Sequence, residues 1–150
     1  MPQALTKVVI HLVFITKNRK PWLDQTIRPR VHGYLAAMFR DLRAPWVVVG
    51  GVADHVYVLF DMGHSVAPVT FVEHTKRKSS KFLKMLGNHD TKSYWQRGYA
   101  ICSVSRKDRD QAEDYVRHQE EYHLGKSFQE AYRELLTRYR IEFDEPFVWD

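Results

Sequence analysis

Hydrophobic and polar residues along the chain are arranged in short apolar runs that predict four β-strands. The runs are rich in β-branched and aromatic residues and are bounded by turn-forming positions: VVIHLVFIT (residues 8–16), WVVVGGV (46–52), DHVYVLFDM (54–62) and WQRGYAICSVS (95–105). The first run leads into a basic turn, KNRKP, that ends at Pro21. The link between the second and third runs is short enough for a β-hairpin.

Between these runs, apolar residues recur at helical spacing. A first helix is predicted from Asp24, a suitable N-cap, to Leu42. A second, basic helix follows Pro68 and ends at Gly87, since glycine favours the conformation that terminates helices. Its apolar face is predicted to contain Val69, Val72, Phe82, Leu83 and Leu86.

Two further helices follow the fourth strand. One starts at a capping box formed by Ser105 and Asp108 and is predicted to stop at Gly125. The other starts at a second capping box, Ser127–Glu130, and runs to about Tyr139.

The resulting order, β-α-β-β-α-β-α-α, predicts an α+β fold of the ferredoxin-like, split β-α-β type, with a four-stranded antiparallel sheet and additional C-terminal helices. Such a sheet has one open face that is suited to binding. We find no internal repeat and no linker, so residues 1–150 are expected to form a single domain.

Composition and charge narrow the class of protein. The chain is 44% hydrophobic and 13% aromatic, as expected of a globular domain rather than a disordered one. Its net charge is +5, with the excess concentrated in TKNRKPW and HTKRKSSK. Basic surfaces attract polyanions such as nucleic acid, although most charge runs are only solvated faces.

Cys102 is the only cysteine, which excludes an internal disulfide and a thiolate zinc cluster and suits a reducing compartment. No apolar run is long enough to cross a membrane, and no signal-peptide pattern occurs. We therefore expect a cytoplasmic protein without a membrane partner.

Candidate chemistry lies on the third strand and the third helix. His55 and Tyr57 alternate with Val56, so both point from one face of the strand. Tyr115 and Gln119 are four residues apart and lie on one side of a helix. By itself this second pair indicates a packing face more often than a site, since His118 and Tyr122 complete an amphipathic stripe.

Several collinear motifs resemble one family over nearly the whole chain: HLVFITKNRKPWL, VGGVADHVYVLF, KRKSSKFL, WQRGYAICSVS and the long stretch from YVRHQEEYHLGK to the C-terminus. The family is that of the single-tyrosine HUH transposases of small bacterial insertion sequences, including their REP-associated relatives. The resemblance implies a ferredoxin-like homodimer that cuts and rejoins single-stranded DNA beside hairpins, in DNA transposition.

The resemblance also implies residue roles. Tyr115 matches the nucleophile that joins the 5′ side of the broken strand and frees a 3′-OH. His55 and Gln119 match two ligands of a divalent ion, Mg²⁺ or Mn²⁺, that polarises the scissile phosphate. Tyr57 stands where the family has its second ligand histidine.

A neutral phenol, with a pKa near 10, is a much poorer metal ligand than imidazole at neutral pH. Three interpretations of Tyr57 follow: the site is inactive, it works weakly with the remaining ligands, or the metal lowers the phenol pKa enough to recruit it. We favour weakened or lost cleavage with DNA binding retained. The alternative is an inactive relic or regulator that binds hairpin or single-stranded DNA.

Basic residues provide candidate phosphate contacts, which would position DNA without reading its sequence: Lys17, Arg19, Lys76, Arg77, Lys78, Lys81 and Arg97. Ser79 and Ser80 are lesser donors on the basic helix. Trp22 is a candidate for stacking on unpaired bases, and Trp95 and Tyr99 are candidates for stacking or for the core. The aromatic motif of ferredoxin-like RNA-binding domains is absent, which disfavours that class.

Overall fold

The computed structural model describes residues 3–86, 94–122, 124–145 and 148 of the chain. In chain order its strands and α-helices are β1 (Val9–Thr16), α1 (Arg28–Asp41), β2 (Trp46–Gly51), β3 (His55–Asp61), α2 (Pro68–Leu86), β4 (Trp95–Ser103), α3 (Arg109–Arg117), α4 (Gln119–Tyr122) and α5 (Phe128–Arg138). Short 3-10 turns at Lys17–Arg19 and Arg106–Asp108 follow β1 and precede α3. No helix among the described residues is long and apolar enough to cross a membrane.

The four strands form one antiparallel sheet in the order β2-β3-β1-β4. This is the arrangement of a split β-α-β fold, so the α+β, ferredoxin-like prediction is confirmed. The predicted hairpin between β2 and β3 is also present, with Gly51 opposite Val56. In the centre of the sheet, Val13 of β1 pairs with Tyr57 of β3.

The sheet divides the apolar residues into two clusters, one on each face. On one face Phe14, Val56 and Phe60 pack with α1 and α2, through Leu35 and Phe71 among others. This division follows from the alternation of side chains along each strand, which sends neighbouring residues to opposite faces.

The other face is covered, so the expectation of an open sheet face was wrong. There Tyr57 and Leu59 pack under Val116 of α3 and under Leu135 and Leu136 of α5. Burying one such aliphatic side chain is worth about 1.5–3 kcal/mol, which explains why the amphipathic C-terminal helices lie on the sheet rather than beside it.

The first helix begins later than predicted. Asp24 accepts hydrogen bonds from the backbone N–H groups of Thr26 and Ile27, but these residues form a turn, and α1 itself starts at Arg28. Pro29 then occupies the first turn of α1, where its missing N–H costs nothing.

The basic helix, α2, differs from its prediction in one apolar position. Val69 is exposed, and Phe71 is buried in its place. The predicted stop at Gly87 lies outside the described residues.

The helix predicted after β4 is interrupted. The Ser105 cap is confirmed, since its side chain accepts from the Asp108 N–H, but His118 leaves helical geometry and separates α3 from α4. In an unbroken helix the Tyr115 carbonyl would accept from the backbone N–H of residue 119. Here it accepts from the side-chain amide of Gln119, at 2.6 Å.

The last helix matches its prediction. Ser127 accepts from the Glu130 N–H at the start of α5, and the helix ends at Arg138 with Tyr139 as its C-cap.

Candidate active site

His55 begins β3 and is almost fully buried, with 1% of its surface exposed. Its Nδ1 lies 2.7 Å from a carboxylate oxygen of Asp54. A carboxylate on one ring nitrogen fixes the tautomer in which the other nitrogen can bind a metal, as in most histidine metal sites. Sequence reasoning missed Asp54, although its position directly before His55 was an available signal.

Tyr57 lies two residues further along β3, on the same face as predicted, and none of its surface is exposed. Its ring centroid is 5.2 Å from that of His55 and 5.5 Å from that of Tyr115. Burial, and then the neighbouring Tyr115, raise the pKa of the Tyr57 phenol well above its ordinary value. In the absence of a metal, the phenol is therefore neutral at physiological pH.

Tyr115 lies on α3 and is half-buried among aromatic rings. Besides Tyr57, its neighbours are Tyr122, with ring centroids 5.0 Å apart, and His11, at 6.3 Å. Tyr115, the candidate nucleophile, therefore also belongs to the packing face of α3.

Gln119 is 1% exposed and lines a cavity of about 310 Å³ together with Gly50, Gly51 and Arg28. Its side-chain amide nitrogen donates a hydrogen bond to the Tyr115 carbonyl oxygen. Arg28 also donates to Glu120, so α4 is fixed to the start of α1 by a side-chain ion pair.

The donor groups brought together fit a divalent ion poorly. Among the described residues, no three side chains of His, Cys, Asp or Glu are grouped so that they could hold a metal. His55 with its carboxylate partner has the chemistry of a good ligand, and Gln119 offers an amide oxygen, but Tyr57 is a buried neutral phenol.

His55 is also covered from above. The ring of Phe128, at the start of α5, lies 4.5 Å from the His55 ring centroid. The first turn of α5 therefore contributes, through Phe128, to the burial of His55.

His11 is a neighbour that sequence reasoning set aside. It is 1% exposed, it lies on the same sheet face as Val13, and its ring centroid is 5.4 Å from that of Tyr57. Its Nδ1 is 3.3 Å from the Tyr139 hydroxyl. Burial, and to a lesser degree Arg138, lower the pKa of His11 to about 4, so the imidazole is neutral. Strand alternation could have placed His11 on this face, but only the β1–β3 register brings it to Tyr57.

The candidate DNA-binding residues lie mainly around β4 and α2. The exposed ones are Lys17 and Arg19 after β1, Arg97 on β4, and Arg77 and Lys81 on α2, while Lys78 is partly buried. Because α2 covers the sheet face opposite to Tyr115, the cations of this helix lie away from the candidate nucleophile.

Lys76 differs from the other basic residues. Its ammonium group donates to the carbonyl oxygens of Gln96 and Arg97, at 2.8 and 3.1 Å, and lies 5.2 Å from the Tyr99 ring centroid. Lys76 therefore ties α2 to β4 instead of presenting its charge to solvent.

Two other candidates on this side belong to the core. Ser79 is buried and accepts a hydrogen bond from the indole N–H of Trp95, which is itself buried.

The chain matches a family model described as IS200-like transposase over residues 4–119. A solved structure of a candidate transposase from Deinococcus radiodurans R1 is similar, with a TM-score of 0.62 and 20% identity, over 77% of this chain and 95% of that one. A REP-associated tyrosine transposase bound to a REP hairpin is similar with a TM-score of 0.57 and 12% identity, over 77% of this chain and 68% of that one. Identities this low show a shared fold. No curated protein matches the sequence.

Proposed function

This chain belongs to the family of IS200-like transposases, and from that membership we propose that it binds single-stranded or hairpin DNA as a homodimer while its strand cleavage is weakened or lost. The structural neighbour bound to a REP hairpin supports a hairpin as the DNA partner. The exposed cations Arg77, Lys81 and Arg97 support contacts with its phosphates.

In the reaction that we propose was ancestral, the Tyr115 oxygen attacks a DNA phosphorus atom. The phenol loses its proton and its oxygen forms a bond to phosphorus, the bond from phosphorus to the 3′ oxygen breaks, and the leaving oxygen takes up a proton to become a 3′-OH. The phosphotyrosine keeps the energy of the broken bond, so a 3′-OH can reverse the step and rejoin DNA without ATP.

The burial of Tyr57 at the expected metal-ligand position is the observation that supports weakened or lost cleavage. A protonated phenol buried between His55 and Tyr115 supplies no imidazole nitrogen for a divalent ion. We therefore propose that Mg²⁺ or Mn²⁺ binds only weakly, at His55 and Gln119. The protein then retains its DNA surface but lacks most of the charge stabilisation that phosphoryl transfer needs.

The test is covalent capture with labelled single-stranded DNA from the flanks of the gene, in Mg²⁺ or Mn²⁺, followed by denaturation. We expect little adduct with the natural protein and at least tenfold more with Tyr57→His. The double variant Tyr57→His/Tyr115→Phe should give none. An adduct from the natural protein as abundant as that from Tyr57→His would refute the proposal.

A second candidate function is a DNA-binding regulator in which cleavage cannot be restored at one residue. The burial of His55 beneath Phe128 favours it. In that case Tyr57→His yields no adduct, although both proteins bind the same DNA in a gel-shift assay.

A further inference from the structure

We propose that the cavity at the free edge of β2 binds one phosphate of the DNA backbone and that Arg28 is the side chain that holds this phosphate. The cavity, called here the β2-edge cavity, is the one beside Gln119, and its charged wall residues include Arg28, Arg117, Glu120 and Glu121. The inference rests on the proposed function, since it requires that the chain bind single-stranded or hairpin DNA. It adds a phosphate contact away from the basic helix α2, none of whose residues lines this cavity.

The β2-edge cavity lies where the sheet ends. β2 is the outermost strand in the order β2-β3-β1-β4, and the cavity, about 310 Å³ in volume, is bounded by the end of β2, the first turn of α1 and residues 117–121. Gln119 forms part of its wall and donates to the Tyr115 carbonyl oxygen. A phosphate bound here would therefore hold the DNA strand beside the helix that carries the candidate nucleophile.

Arg28 is a fixed cation in the wall of this cavity. It is 9% exposed, and its Nε donates to the Leu23 carbonyl oxygen at 3.0 Å. Its Nη1 donates to Glu120, which also lines the cavity, so the guanidinium end of Arg28 faces the cavity. Its Nη2 has no acceptor among the described residues and is not sealed from solvent. A guanidinium fixed through Nε can donate from both Nη atoms to one phosphate.

Glu120 is the partner that a phosphate would replace. Its side chain is 63% exposed, against 11% for Arg28. An exposed carboxylate loses little when its ion pair breaks, so Glu120 can turn into water, whereas the buried Arg28 charge needs another anionic partner. A phosphate supplies that partner and compensates the buried charge.

Two further features of the cavity favour an anion. Pro29, in the first turn of α1, lines it, so the positive end of the α1 helix dipole points towards the cavity. Arg117 is a second cation, whose Nε donates to Glu113. Of the charged residues in the wall, Arg28 alone is buried, and the two carboxylates, Glu120 and Glu121, are exposed. The charge that is fixed in the wall is therefore positive.

The experiment measures binding of single-stranded oligonucleotides from the flanks of the gene by fluorescence anisotropy, with EDTA present so that no strand is cut. Each oligonucleotide carries one methylphosphonate, which removes the charge of one linkage, and together they scan every linkage. Among the linkages at which neutralisation weakens binding, we expect one that depends on Arg28, with a penalty of about tenfold, as for the loss of a charge-assisted hydrogen bond.

Arg28→Met assigns that linkage. In this variant we expect the penalty at one linkage to fall from about tenfold to within about twofold, while the penalties at other linkages persist. Arg30→Met is the matched control, because Arg30 is exposed on the same helix and does not line the cavity. It should leave the penalty at the assigned linkage unchanged. Circular dichroism checks that both variants are folded.

Glu120→Gln tests the same contact without changing Arg28. Removal of the competing carboxylate should strengthen binding of the intact oligonucleotide about threefold, as for the loss of a weak ion pair. This gain should vanish when the linkage that contacts Arg28 is neutralised. Glu142→Gln is the control for net charge, because Glu142 is exposed and lies outside the cavity wall. Any gain that it gives should be the same for intact and neutralised oligonucleotides.

Equal penalties at every linkage in the natural protein and in Arg28→Met would overturn the inference. If Arg28→Met does not fold, a Glu120→Gln variant that binds the intact and all neutralised oligonucleotides with the same gain, or with none, would overturn it. These results leave the proposed function intact, because DNA is still bound. If the natural protein binds none of the intact oligonucleotides, the proposed function fails and this inference fails with it.

Discussion

His11 is a buried imidazole whose charge state matters for stability. Because burial lowers its pKa from 6.5 to about 4, the folded protein takes up a proton less readily than the unfolded chain does. The folded state is therefore most stable, as far as His11 is concerned, above about pH 6.5, and this contribution to stability is lost as the pH falls towards 4. We expect His11 alone to cost about 2 kcal/mol of unfolding free energy between pH 7 and pH 5.

Urea unfolding of the natural protein and of His11→Gln at these two pH values measures this effect. The variant should lose less stability on acidification, because glutamine does not titrate. His32, whose pKa is also lowered to about 4, mainly by burial, contributes equally to both proteins and cancels in the comparison. Parallel losses in the two proteins would show that His11 is not the responsible group.

At this scale the sequence predicted that His55 and Tyr57 share one face of β3, but not which side chains surround them. Strand alternation places His55 and Tyr57 on one face, and the resemblance selects Tyr115 and Gln119, because local spacing and motifs suffice for these statements. The contacts of Phe128 and His11 depend on strand register and on how a distant helix packs, which no local pattern contains.

Among the elements, α3 depends on a close approach to β2. A Cβ atom at Gly50 would lie 1.8 Å from the carbonyl oxygen of Val116, so any side chain there must push the end of α3 away from the sheet. We expect Gly50→Ala to cost about 1–3 kcal/mol of unfolding free energy, as overpacking does. It should also displace Tyr115 and abolish the adduct formed in a Tyr57→His background.

Gly33 provides the matched control. It is an exposed glycine in α1 with no atom within 4 Å of an added Cβ, so Gly33→Ala should stabilise the fold by about 0.5–1 kcal/mol. Denaturant unfolding measures the change in unfolding free energy for both variants. Equal effects at the two glycines would contradict the tight contact between α3 and β2.

The start of α5 restricts access to His55 through Phe128. We expect Phe128→Ala to make His55 reactive towards diethylpyrocarbonate, at a cost of about 1–3 kcal/mol in stability for the lost packing. Peptide mass spectrometry measures modification at His55. Leu124→Ala is the control, since Leu124 is 78% exposed and should leave His55 protected. Unchanged protection in Phe128→Ala would mean that another part of the protein covers the ring.

Prediction of the elements succeeded where a local signal sets the structure and failed where a side chain competes with the backbone. The caps at Ser105 and Ser127 were found from their residue types. The break at His118 was not, because the Gln119 side chain takes over a backbone acceptor, and a helical pattern gives no indication of that.

Across the whole molecule, the cations of α2 and the candidate active site lie on different faces of the sheet. If Arg77 and Lys81 contact phosphates, replacing both with alanine should weaken binding of single-stranded DNA. The slope of log affinity against log salt concentration is negative, and its magnitude should decrease by about 1 to 1.5, as expected for the loss of two phosphate contacts. Anisotropy titrations at several salt concentrations measure the slope.

Lys76→Met tests the distinct position of Lys76 in the same titrations. Because its ammonium is bound to β4 carbonyls, we expect the salt slope to remain unchanged and the unfolding free energy to fall. A smaller slope in Lys76→Met, with stability unaltered, would show that this lysine faces DNA after all.

The sequence order of the strands was sufficient to predict the sheet, but the expectation of an open face failed at this scale. The helices after β4 were predicted, yet their destination depends on Val116, Leu135 and Leu136 meeting residues of β2 and β3 far away in the chain. Such long-range packing is not contained in the periodicity of either element.

The covered sheet face has a consequence for biosynthesis. All four strands leave the ribosome before α3 and α5, so during translation the sheet can be complete while Val48, Tyr57 and Leu59 still lack their cover. Exposed apolar surface of this kind promotes aggregation of nascent chains. We therefore expect the nascent chain to be most prone to aggregation in the interval before α3 and α5 emerge and pack on that surface.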